Sequence, residues 1–339
     1  MEVDNELLLQ KLKKSLGSNY LDLSPLFIPS IKKAPHIYSA VVNKPYYNSY
    51  VVKVIYKDHQ IIGEENSSDV IFDYFISDFY KRNKIYTQAR ELLSFFELDS
   101  QHEVVVSSYI RGSPLDSVRG HEILSKRYTE VLKHLKFNFT KTDLTNHISI
   151  NRNLWGSYES LINKKLQNID SISFLKHFRN DINRTNLPDS VKRDLSDLIN
   201  SSYMFENCVE KSLIHADLKH NNIILTTDNK LIPIDWSASH IGCPAIDIAD
   251  ILVSSKNYTS NESTLELLKK FTQEPLTKKY FHKESLKLVK LYLFFKVFSI
   301  SRVWIPRYLK TTANEIISMQ DKSLEEVITG FRWLVRRKY

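Results

Sequence analysis

The sequence predicts an α+β protein of two lobes: a small N-terminal lobe built on a mixed β-sheet with one main helix, and a large, mostly helical C-terminal lobe. The chain has 339 residues, which is long for a single domain. Strand-like segments concentrate in its first third, and the chain becomes mostly helical after residues 111–116. We therefore expect one lobe over residues 1–106 and a second over 107–339, with a linker near 107–114.

The elements of the first lobe follow from local patterns. Residues 36–42 (HIYSAVV) and 49–56 (SYVVKVIY) are rich in β-branched and aromatic side chains, and the turn-like NKPYYN separates them. Residues 67–83 place apolar side chains at helical spacing behind Ser and Asp cap candidates. Two further strand-like runs, 89–98 and 103–110, flank the turn DSQH.

Composition indicates an ordinary soluble globular protein, with 42% apolar and 25% charged residues. Its two cysteines, Cys208 and Cys243, have no paired spacing, which argues against a disulfide framework and against a zinc site. The opening stretch reads as a short amphipathic helix that is too polar for a secretory signal, and no uncharged apolar run is long enough to span a membrane. We expect a cytoplasmic protein.

The net charge of +8 is concentrated near the C-terminus. Residues 281–339 contain 12 Lys or Arg and 5 Asp or Glu, a balance of 12 − 5 = +7. A basic helical tail can serve an anionic substrate, a nucleic acid or an acidic membrane surface, or it can simply be a set of solvated helix faces.

The candidate catalytic and metal-binding residues lie in residues 212–250, which read SLIHADLKHNNIILTTDNKLIPIDWSASHIGCPAIDIAD. This stretch reads as short buried strands around a hairpin turn at 227–230. Such a hairpin would bring its ends together, so that Asp217 and Asn222 before it would face Asp235 after it. Two carboxylates and an amide suit Mg²⁺ and its phosphate ligands, and they do not suit zinc.

This stretch resembles the catalytic loop and metal-binding turn of the protein-kinase-like fold. It resembles most closely the aminoglycoside phosphotransferase and choline kinase branch, which has Asp-x-x-x-x-Asn, then Ile-Asp-Trp/Phe, then Gly-x-Pro-x-x-Asp-Leu-Ala. This chain reads IDW and GCPAIDIA at the corresponding places. The match is strong over residues 213–250 and looser over 51–114.

The resemblance implies roles for the residues of the motif. Asp217 would be the catalytic base, and Asn222 and Asp235 would hold Mg²⁺ against the phosphates of ATP. Lys219 stands where protein kinases carry a lysine that reaches the transferred phosphoryl group, although a solvent-exposed lysine is an equal alternative.

Two further residues of the motif would support the loop. His215 would pack beneath it rather than act as an acid or base, and Asp247 would anchor it by accepting backbone N–H groups. The family usually has Gly where this chain has Ala216, which we expect to be a small change.

The nucleotide side needs a strand lysine with an acidic partner, because phosphoryl transfer depends on charge neutralisation. Lys53 lies in VVKVIY, as the corresponding lysine of the fold does in its strand. The following helix offers Asp69 and Asp73 as partners, with Glu64 and Glu65 just before it. Asp73 is our choice, with Glu65 as the alternative.

The phosphate-covering loop departs from the fold's pattern, because no glycine lies between positions 17 and 63. The corresponding turn should lie in IKKAPHIYS, where Ser39, Lys32 and Lys33 could contact phosphates or form an exposed basic turn. The resemblance further places adenine along an edge formed by four consecutive residues: Ser107, Ser108, Tyr109 and Ile110.

The acceptor should be small. Only residues 236–244 separate Asp235 from the Ala-Ile-Asp segment, which leaves no room for the activation segment of a protein kinase, and there is no Ala-Pro-Glu. The family builds its acceptor pocket from later helices, whose aromatic and basic candidates could equally be core residues: Tyr292, Phe294, Phe295, Phe298, Arg302, Trp304 and Trp333.

These inferences predict a Mg²⁺-dependent phosphotransferase that moves the γ-phosphate of ATP, or of GTP, to a hydroxyl group of a sugar-like metabolite or antibiotic. The basic tail favours a neutral or anionic acceptor, including a surface-glycan or phosphosugar precursor, because like charges in a desolvated pocket repel. A catalytically silent pseudokinase is the alternative of another class. We expect no specific nucleic acid partner, and the basic helices could contact a membrane surface.

Overall fold

The computed structural model describes seven stretches of the chain and five single positions: residues 4–17, 21–25, 36–42, 48–56, 67–115, 117–170 and 210–255, with 193, 196, 200, 273 and 275. Seven α-helices are bounded within these stretches: α1 Asn5–Leu16, α2 Ser67–Arg82, α3 Ser117–Val131, α4 Lys141–Ile150, α5 Arg152–Trp155, α6 Glu159–Leu166 and α7 Ala245–Ser255. The strands of the same stretches are β1 Leu21–Pro25, β2 His36–Val42, β3 Asn48–Tyr56, β4 Leu92–Glu97, β5 His102–Ser108, β6 Gly112–Pro114, β7 Ser212–Ile214, β8 Ile223–Thr226, β9 Leu231–Pro233 and β10 His240–Gly242.

The chain divides into two compact units. The first contains the described parts of residues 1–113, 141–169 and 224–239. The second contains the described parts of 114–140, 170–223 and 240–339. The first break in the chain falls at 113/114, and α4–α6 and residues 224–239 of the β8–β9 region group with the first unit.

The first unit is built on a five-stranded sheet of order β1-β2-β3-β5-β4. Each strand pairing in this sheet is antiparallel. The expectation of a mixed sheet was therefore wrong. The strands predicted from β-branched and aromatic runs are present, and β2 has the predicted bounds. The DSQH turn between β4 and β5 is closed by Asp99, whose Oδ1 accepts the N–H groups of Gln101 at 2.7 Å and His102 at 2.8 Å.

Helix α1 covers one face of this sheet. Asp4 caps its N-terminus by accepting the N–H groups of Glu6 and Leu7, and Gly17 ends it with φ +61°, a conformation that glycine adopts without strain. Leu8 and Leu12 are fully buried in a cluster that includes Val52 of β3 and other valines of β3 and β5. Side chains alternate along a strand, so the residues next to these valines point to the opposite face.

Helix α2 is buried almost all round, because 13 of its 16 residues are buried. The predicted helix over 67–83 is therefore confirmed, although it is a core helix rather than one with an exposed side. Its aromatic residues pack on later helices: the Phe75 ring lies edge-on to Trp155 at 5.4 Å, and the Phe79 ring lies edge-on to His147 at 5.3 Å.

The Asp78 carboxylate of α2 joins three helices. It accepts hydrogen bonds from Arg82 Nε at 2.9 Å, from His147 Nε2 of α4 at 3.0 Å and from Trp155 Nε1 of α5 at 3.0 Å. Burial by itself raises the pKa of the Asp78 carboxyl, but the hydrogen bonds from His147, Trp155 and Arg82 together hold that pKa below its ordinary value.

The predicted hairpin is formed by β8 and β9, which are neighbours in a three-stranded sheet with β6. Thr226 N–H donates to the Lys230 carbonyl at 2.9 Å, and Asn229 at φ +58° makes the turn. Gly112 of β6 approaches this hairpin so closely that a Cβ atom would lie 2.4 Å from the Leu225 carbonyl oxygen, so only glycine fits there.

The second unit contains the loop between β7 and β8. The two-stranded sheet of this unit pairs β7 with β10 in antiparallel register, with His240 opposite Ile214. Ser212 of β7 is tied to the end of the 3₁₀ helix Leu132–Lys136, because its Oγ donates to the carbonyl of Phe137, the next residue, at 2.7 Å. Among the helices of the described stretches, none combines the length and the apolar character needed to cross a bilayer.

We predict that Asp78→Asn destabilises the fold by about 3 kcal/mol, because the amide presents a donor to partners that are themselves donors. The lowered pKa of Asp78 means that its contribution is complete above its ordinary pKa of about 3.8 and is lost as the pH falls through the folded-state value. Urea unfolding from pH 3 to pH 7 measures both effects. Asp22→Asn, on an exposed position of β1, is the matched control. Equal effects of the two substitutions would contradict the role given to Asp78.

Candidate active site

The loop from His215 to Asn222 carries the predicted chemical groups of the second unit. The Asp217 side chain is 37% exposed, and its Oδ2 accepts hydrogen bonds from Lys219 Nζ at 2.7 Å and Asn222 Nδ2 at 3.1 Å. Asn222 Nδ2 also donates to the Asp217 carbonyl at 2.9 Å. The structure therefore brings Asp217, Lys219 and Asn222 together around one carboxylate.

Two carboxylates of α7 anchor the backbone of this loop. Asp247 Oδ2 accepts the His215 N–H and Asp247 Oδ1 accepts the Ala216 N–H, both at 2.8 Å. Asp250 Oδ2 accepts the Leu218 N–H at 3.0 Å. The sequence analysis named Asp247 and missed Asp250, although the i,i+3 spacing of the two residues places both on one helical face.

His134 completes the environment of Asp247 and was also missed. Its Nε2 lies 2.7 Å from Asp247 Oδ2, and its Nδ1 lies 3.3 Å from the Val131 carbonyl oxygen. Burial alone raises the pKa of the Asp247 carboxyl, but the hydrogen bond and charge of His134, with a smaller contribution from His215, hold it below its ordinary value. His134 precedes the motif by about 80 residues in a short 3₁₀ segment, so no local pattern could have indicated it.

His215 is completely buried, and its Nδ1 accepts the N–H of Asp217 at 3.3 Å. The His215 ring is therefore buried and takes part in the hydrogen bonding of the loop backbone.

Ala216 has a left-handed backbone with φ +66°. A side chain in this region costs about 1–2 kcal/mol relative to glycine, because its Cβ crowds the following carbonyl. The difference between Ala216 and the glycine usual in the family is therefore a matter of backbone strain, which the sequence alone did not show.

In the first unit, Asp235 also has a left-handed backbone, with φ +67° and ψ +61°. Its Oδ1 accepts the Ser237 hydroxyl at 2.9 Å. The next N–H, that of Trp236, donates to Asp73 Oδ1 of α2 at 2.7 Å. The Trp236 ring is buried and lies 4.6 Å from the ring of Tyr80.

Lys53 of β3 lies on the side of the sheet that α2 occupies. It pairs with Val105, which shares a face with Ser107, and Ser107 Oγ accepts the hydroxyl of Tyr74 of α2 at 3.1 Å. Burial is the largest influence on Tyr74 and raises its pKa, whereas the Lys53 charge is near enough to lower it slightly.

Asp73, the residue we chose as partner of Lys53, has two partners that the sequence did not indicate. Its Oδ2 pairs with Arg90 Nη2 at 2.8 Å, and its Oδ1 is bound by Trp236 N–H. Among the other acidic candidates, Asp69 pairs with Lys165 of α6, and Glu64 and Glu65 lie outside the described residues.

Of the predicted phosphate-covering turn, only its last part is described. Ser39 lies in β2, opposite Val51 of β3 and Ser24 of β1. Lys32 and Lys33 lie outside the described residues.

The predicted adenine edge follows β5. Ser107 is fully buried, and Ile110 is buried at 5% exposure. Ser108 N–H donates to the Glu91 carbonyl at 3.0 Å and Tyr109 N–H donates to the Ser49 carbonyl at 3.3 Å. These two N–H groups are thus used within the protein.

The candidate metal ligands fit a hard divalent cation by their chemistry. Both hydrogen bonds of the Asn222 side chain use Nδ2, so Oδ1 is the atom that could bind a cation, and Asp235 supplies a carboxylate. Within the described stretches no group of three or more His, Cys, Asp or Glu could hold a metal ion. Amide and carboxylate oxygens are both ligands that Mg²⁺ accepts, together with phosphates and water. The six aromatic acceptor candidates and Arg302 lie outside the described residues.

Comparison with known proteins confirms the resemblance. The model of the family described as "Phosphotransferase enzyme family" matches residues 179–287, which include Asp217, Asn222, Asp235 and Asp247. Aminoglycoside phosphotransferases and an ethanolamine kinase are among the similar solved structures.

Three of these structures cover nearly the whole chain. The GDP and kanamycin complex of APH(2″)-IIia is 12% identical, with a TM-score of 0.57, and covers 95% of this chain and 98% of that one. The amicoumacin kinase hAmiN, in complex with AMP-PNP, Ca²⁺ and Ami, is 12% identical, with a TM-score of 0.60 and coverage of 96% and 93%. The Plasmodium vivax ethanolamine kinase is 13% identical, with a TM-score of 0.56 and coverage of 97% and 89%. At these identities the likeness shows the fold, and the predicted protein-kinase-like fold is confirmed.

We predict that Ala216→Gly stabilises the protein by about 0.5–1 kcal/mol, because relief of the strained backbone exceeds the entropy that glycine adds to the unfolded chain. Ala249→Gly, in the interior of α7, is the matched control and should destabilise by at least about 1 kcal/mol. Chemical denaturation compares the two. Destabilisation by Ala216→Gly to the same degree as the control would show that the left-handed backbone carries no strain.

Proposed function

We propose that the protein is a phosphotransferase that moves the γ-phosphate of ATP, or of GTP, to a hydroxyl group of a small molecule. The observation that carries this proposal is the loop of residues 215–222, in which one partly exposed carboxylate is held by a lysine and an amide while the backbone beneath is fixed by buried carboxylates. The phosphotransferase family match and the kinases among the similar structures support it.

Asp217 is the proposed catalytic base. Its partly exposed carboxylate would accept a hydrogen bond from the acceptor hydroxyl and orient the oxygen toward the γ-phosphorus. It would take up the proton as the new oxygen–phosphorus bond forms and the bond between the γ-phosphorus and the β-phosphate oxygen breaks, which releases ADP or GDP. Asn222 holds the Asp217 side chain and backbone at once, so the base has one fixed direction. In-line attack depends on this fixed direction.

Lys219 is the proposed electrostatic partner of the transferred group. Its ammonium lies 2.7 Å from Asp217 Oδ2, so a phosphoryl group that approaches the base also approaches this positive charge. The charge would stabilise the equatorial oxygens during transfer.

Asn222 and Asp235 are the proposed Mg²⁺ ligands. When bound, Mg²⁺ would neutralise charge on the phosphates. Lys53 would bind the phosphates from β3, with Asp73 of α2 as its acidic partner. The adenine or guanine base would lie along residues 107–110.

The acceptor is proposed to be a sugar-like metabolite or an antibiotic, neutral or anionic. Similar structures are named for amicoumacin and ethanolamine or contain kanamycin, which supports a small acceptor. The +7 balance of residues 281–339 argues against polycations for this chain. The protein is expected to act in the cytoplasm.

Asp217 and Asp235 are proposed to have different roles, so substitutions at the two positions should affect phosphate transfer and nucleotide binding differently. Asp217→Asn should retain Mg·ATP binding and lower kcat about 10²–10⁴-fold, because it removes proton acceptance and keeps the shape. Asp235→Ala should weaken nucleotide binding in Mg²⁺ and leave binding in EDTA unchanged. Asp228→Asn, on the exposed hairpin turn between β8 and β9, is the control and should behave as wild type.

Calorimetric titration with ATP and GTP, with and without Mg²⁺, together with radiolabel transfer, measures these defects. A wild-type protein that binds neither nucleotide would overturn the proposed function. Equal loss of binding in both variants would overturn the division of roles.

The acceptor proposal predicts phosphate transfer from ATP to neutral or anionic hydroxylated compounds. A panel of sugars, phosphosugars, nucleosides, choline and antibiotics, with product identification by mass spectrometry, tests it. Kanamycin provides the polycationic comparison, and its transfer rate should be at least about 10-fold lower than that of the best neutral acceptor, since one desolvated like-charge contact costs several kcal/mol. Efficient phosphorylation of kanamycin would refute the charge argument and leave the kinase activity standing.

A further inference from the structure

The turn from Asp235 to Ser237 needs support from its surroundings. Asp235 is one of four non-glycine residues with positive φ among the described residues. Such a conformation persists only where neighbouring groups hold it. The direction of the Asp235 carboxylate therefore depends on what binds the backbone of the next two residues.

One side of the turn is held by α2. Trp236 N–H donates to Asp73 Oδ1 at 2.7 Å, and Asp73 is only 5% exposed. The Trp236 ring packs against the rings of Tyr80 and Tyr86, with centroids 4.6 and 6.1 Å away.

The other side of the turn is held by a lysine of α6. Lys165 Nζ donates to the Ser237 carbonyl at 3.2 Å, and the same ammonium forms an ion pair with Asp69 of α2. The side chains of Lys165 and Asp69 are 30% and 21% exposed, so solvent screens the pair only in part. The aliphatic stem of Lys165 places its ammonium 6.0 Å from the centre of the Phe72 ring.

Ser237 links the lysine to the candidate metal ligand. Its carbonyl accepts from Lys165, and its hydroxyl donates to Asp235 Oδ1 at 2.9 Å. A continuous chain of polar contacts thus runs from Asp69 through Lys165 and Ser237 to the Asp235 carboxylate.

We infer that Lys165 is a positioning residue of the phosphotransferase. It fixes the Ser237 peptide against α2, so that the Ser237 hydroxyl holds Asp235 Oδ1 and the carboxylate keeps the direction needed to bind Mg²⁺. This inference rests on the proposed function. It adds that α6, which lies about 70 residues before Asp235, sets the geometry of the metal ligand.

The inference predicts that Lys165→Met weakens binding of Mn²⁺, used as a paramagnetic probe for Mg²⁺, in the presence of AMP-PNP. The free Mn²⁺ concentration at half saturation should rise about 10-fold, as expected for a lost contact of a supporting residue with a metal ligand. Lys165→Arg should restore most of the affinity, because it keeps the charge and the donors. Lys164→Met, on an exposed position of the same helix, is the matched control and should bind Mn²⁺ as wild type does.

A second measurement needs neither metal nor nucleotide. Hydrogen exchange of the peptide that contains residues 235–239 should be about 10-fold faster in Lys165→Met than in Lys164→Met. In steady-state assays, Lys165→Met should require more free Mg²⁺ for half-maximal rate while kcat at saturating Mg²⁺ falls less than threefold. A role confined to stability would lower the melting temperature without this shift in Mg²⁺ dependence.

Ser237→Ala tests the same series of polar contacts at the end nearest to Asp235. It removes the hydroxyl contact with Asp235 and keeps the carbonyl that Lys165 binds. It should weaken Mn²⁺ binding to a similar degree, and the double variant should be no weaker than the worse single variant, because both act on one path.

Two results would overturn the inference. Wild-type Mn²⁺ affinity and turn exchange in Lys165→Met, in a protein whose wild type binds Mn·AMP-PNP, would refute the positioning role and leave the proposed function intact. Failure of the wild-type protein to bind Mn·AMP-PNP would refute both. If Lys165→Met does not fold, wild-type Mn²⁺ affinity in Ser237→Ala decides against the inference.

Discussion

The first unit depends on the satisfaction of three carboxylates carried by one buried helix. Asp69 of α2 pairs with Lys165. Asp73 binds Arg90 and the Trp236 N–H group. Asp78 binds Arg82, His147 and Trp155. Taking a carboxylate out of water costs several kcal/mol unless charges and hydrogen bonds replace the lost hydration. A helix with 13 buried residues among 16 can carry these groups only because its partners from other elements are in place.

In the second unit, too, carboxylates of one helix bind groups of another part of the chain. Asp247 and Asp250 of α7 bind the backbone of the loop that carries Asp217. Each unit has a residue with a left-handed backbone beside such a contact. The N–H group of Ala216 itself donates to the buried Asp247 carboxylate. Asp235 is followed by the Trp236 N–H group, which donates to the buried Asp73 carboxylate. Strained residues of this kind persist where the surroundings over-determine them, and here the surroundings are fixed negative charges.

Much of this arrangement could be predicted from local patterns. The strands β2 and β3, the helix α2 and the β8–β9 hairpin follow from periodicity and turn chemistry, and the motif of residues 212–250 indicated the fold. The residues that complete the site could not be found in this way. Arg90 contacts Asp73, which lies 17 positions before it. His134 contacts Asp247, 113 positions later, and Lys165 contacts Ser237, 72 positions later. None of the three belongs to a local sequence pattern. The strands β1 and β10 were missed because they are short or depend on a distant partner for pairing.

The position of α1 has a consequence for the handling of the protein. Leu8 and Leu12 cover valines of β3 and β5, and Lys11 Nζ binds the carbonyls of Glu97 and Leu98 at the end of β4. A fragment that begins after Gly17 would present this valine-rich face of the sheet to water. Flat apolar sheet surfaces associate with one another, so such a fragment would form aggregates even though every residue of the candidate active site remained in it.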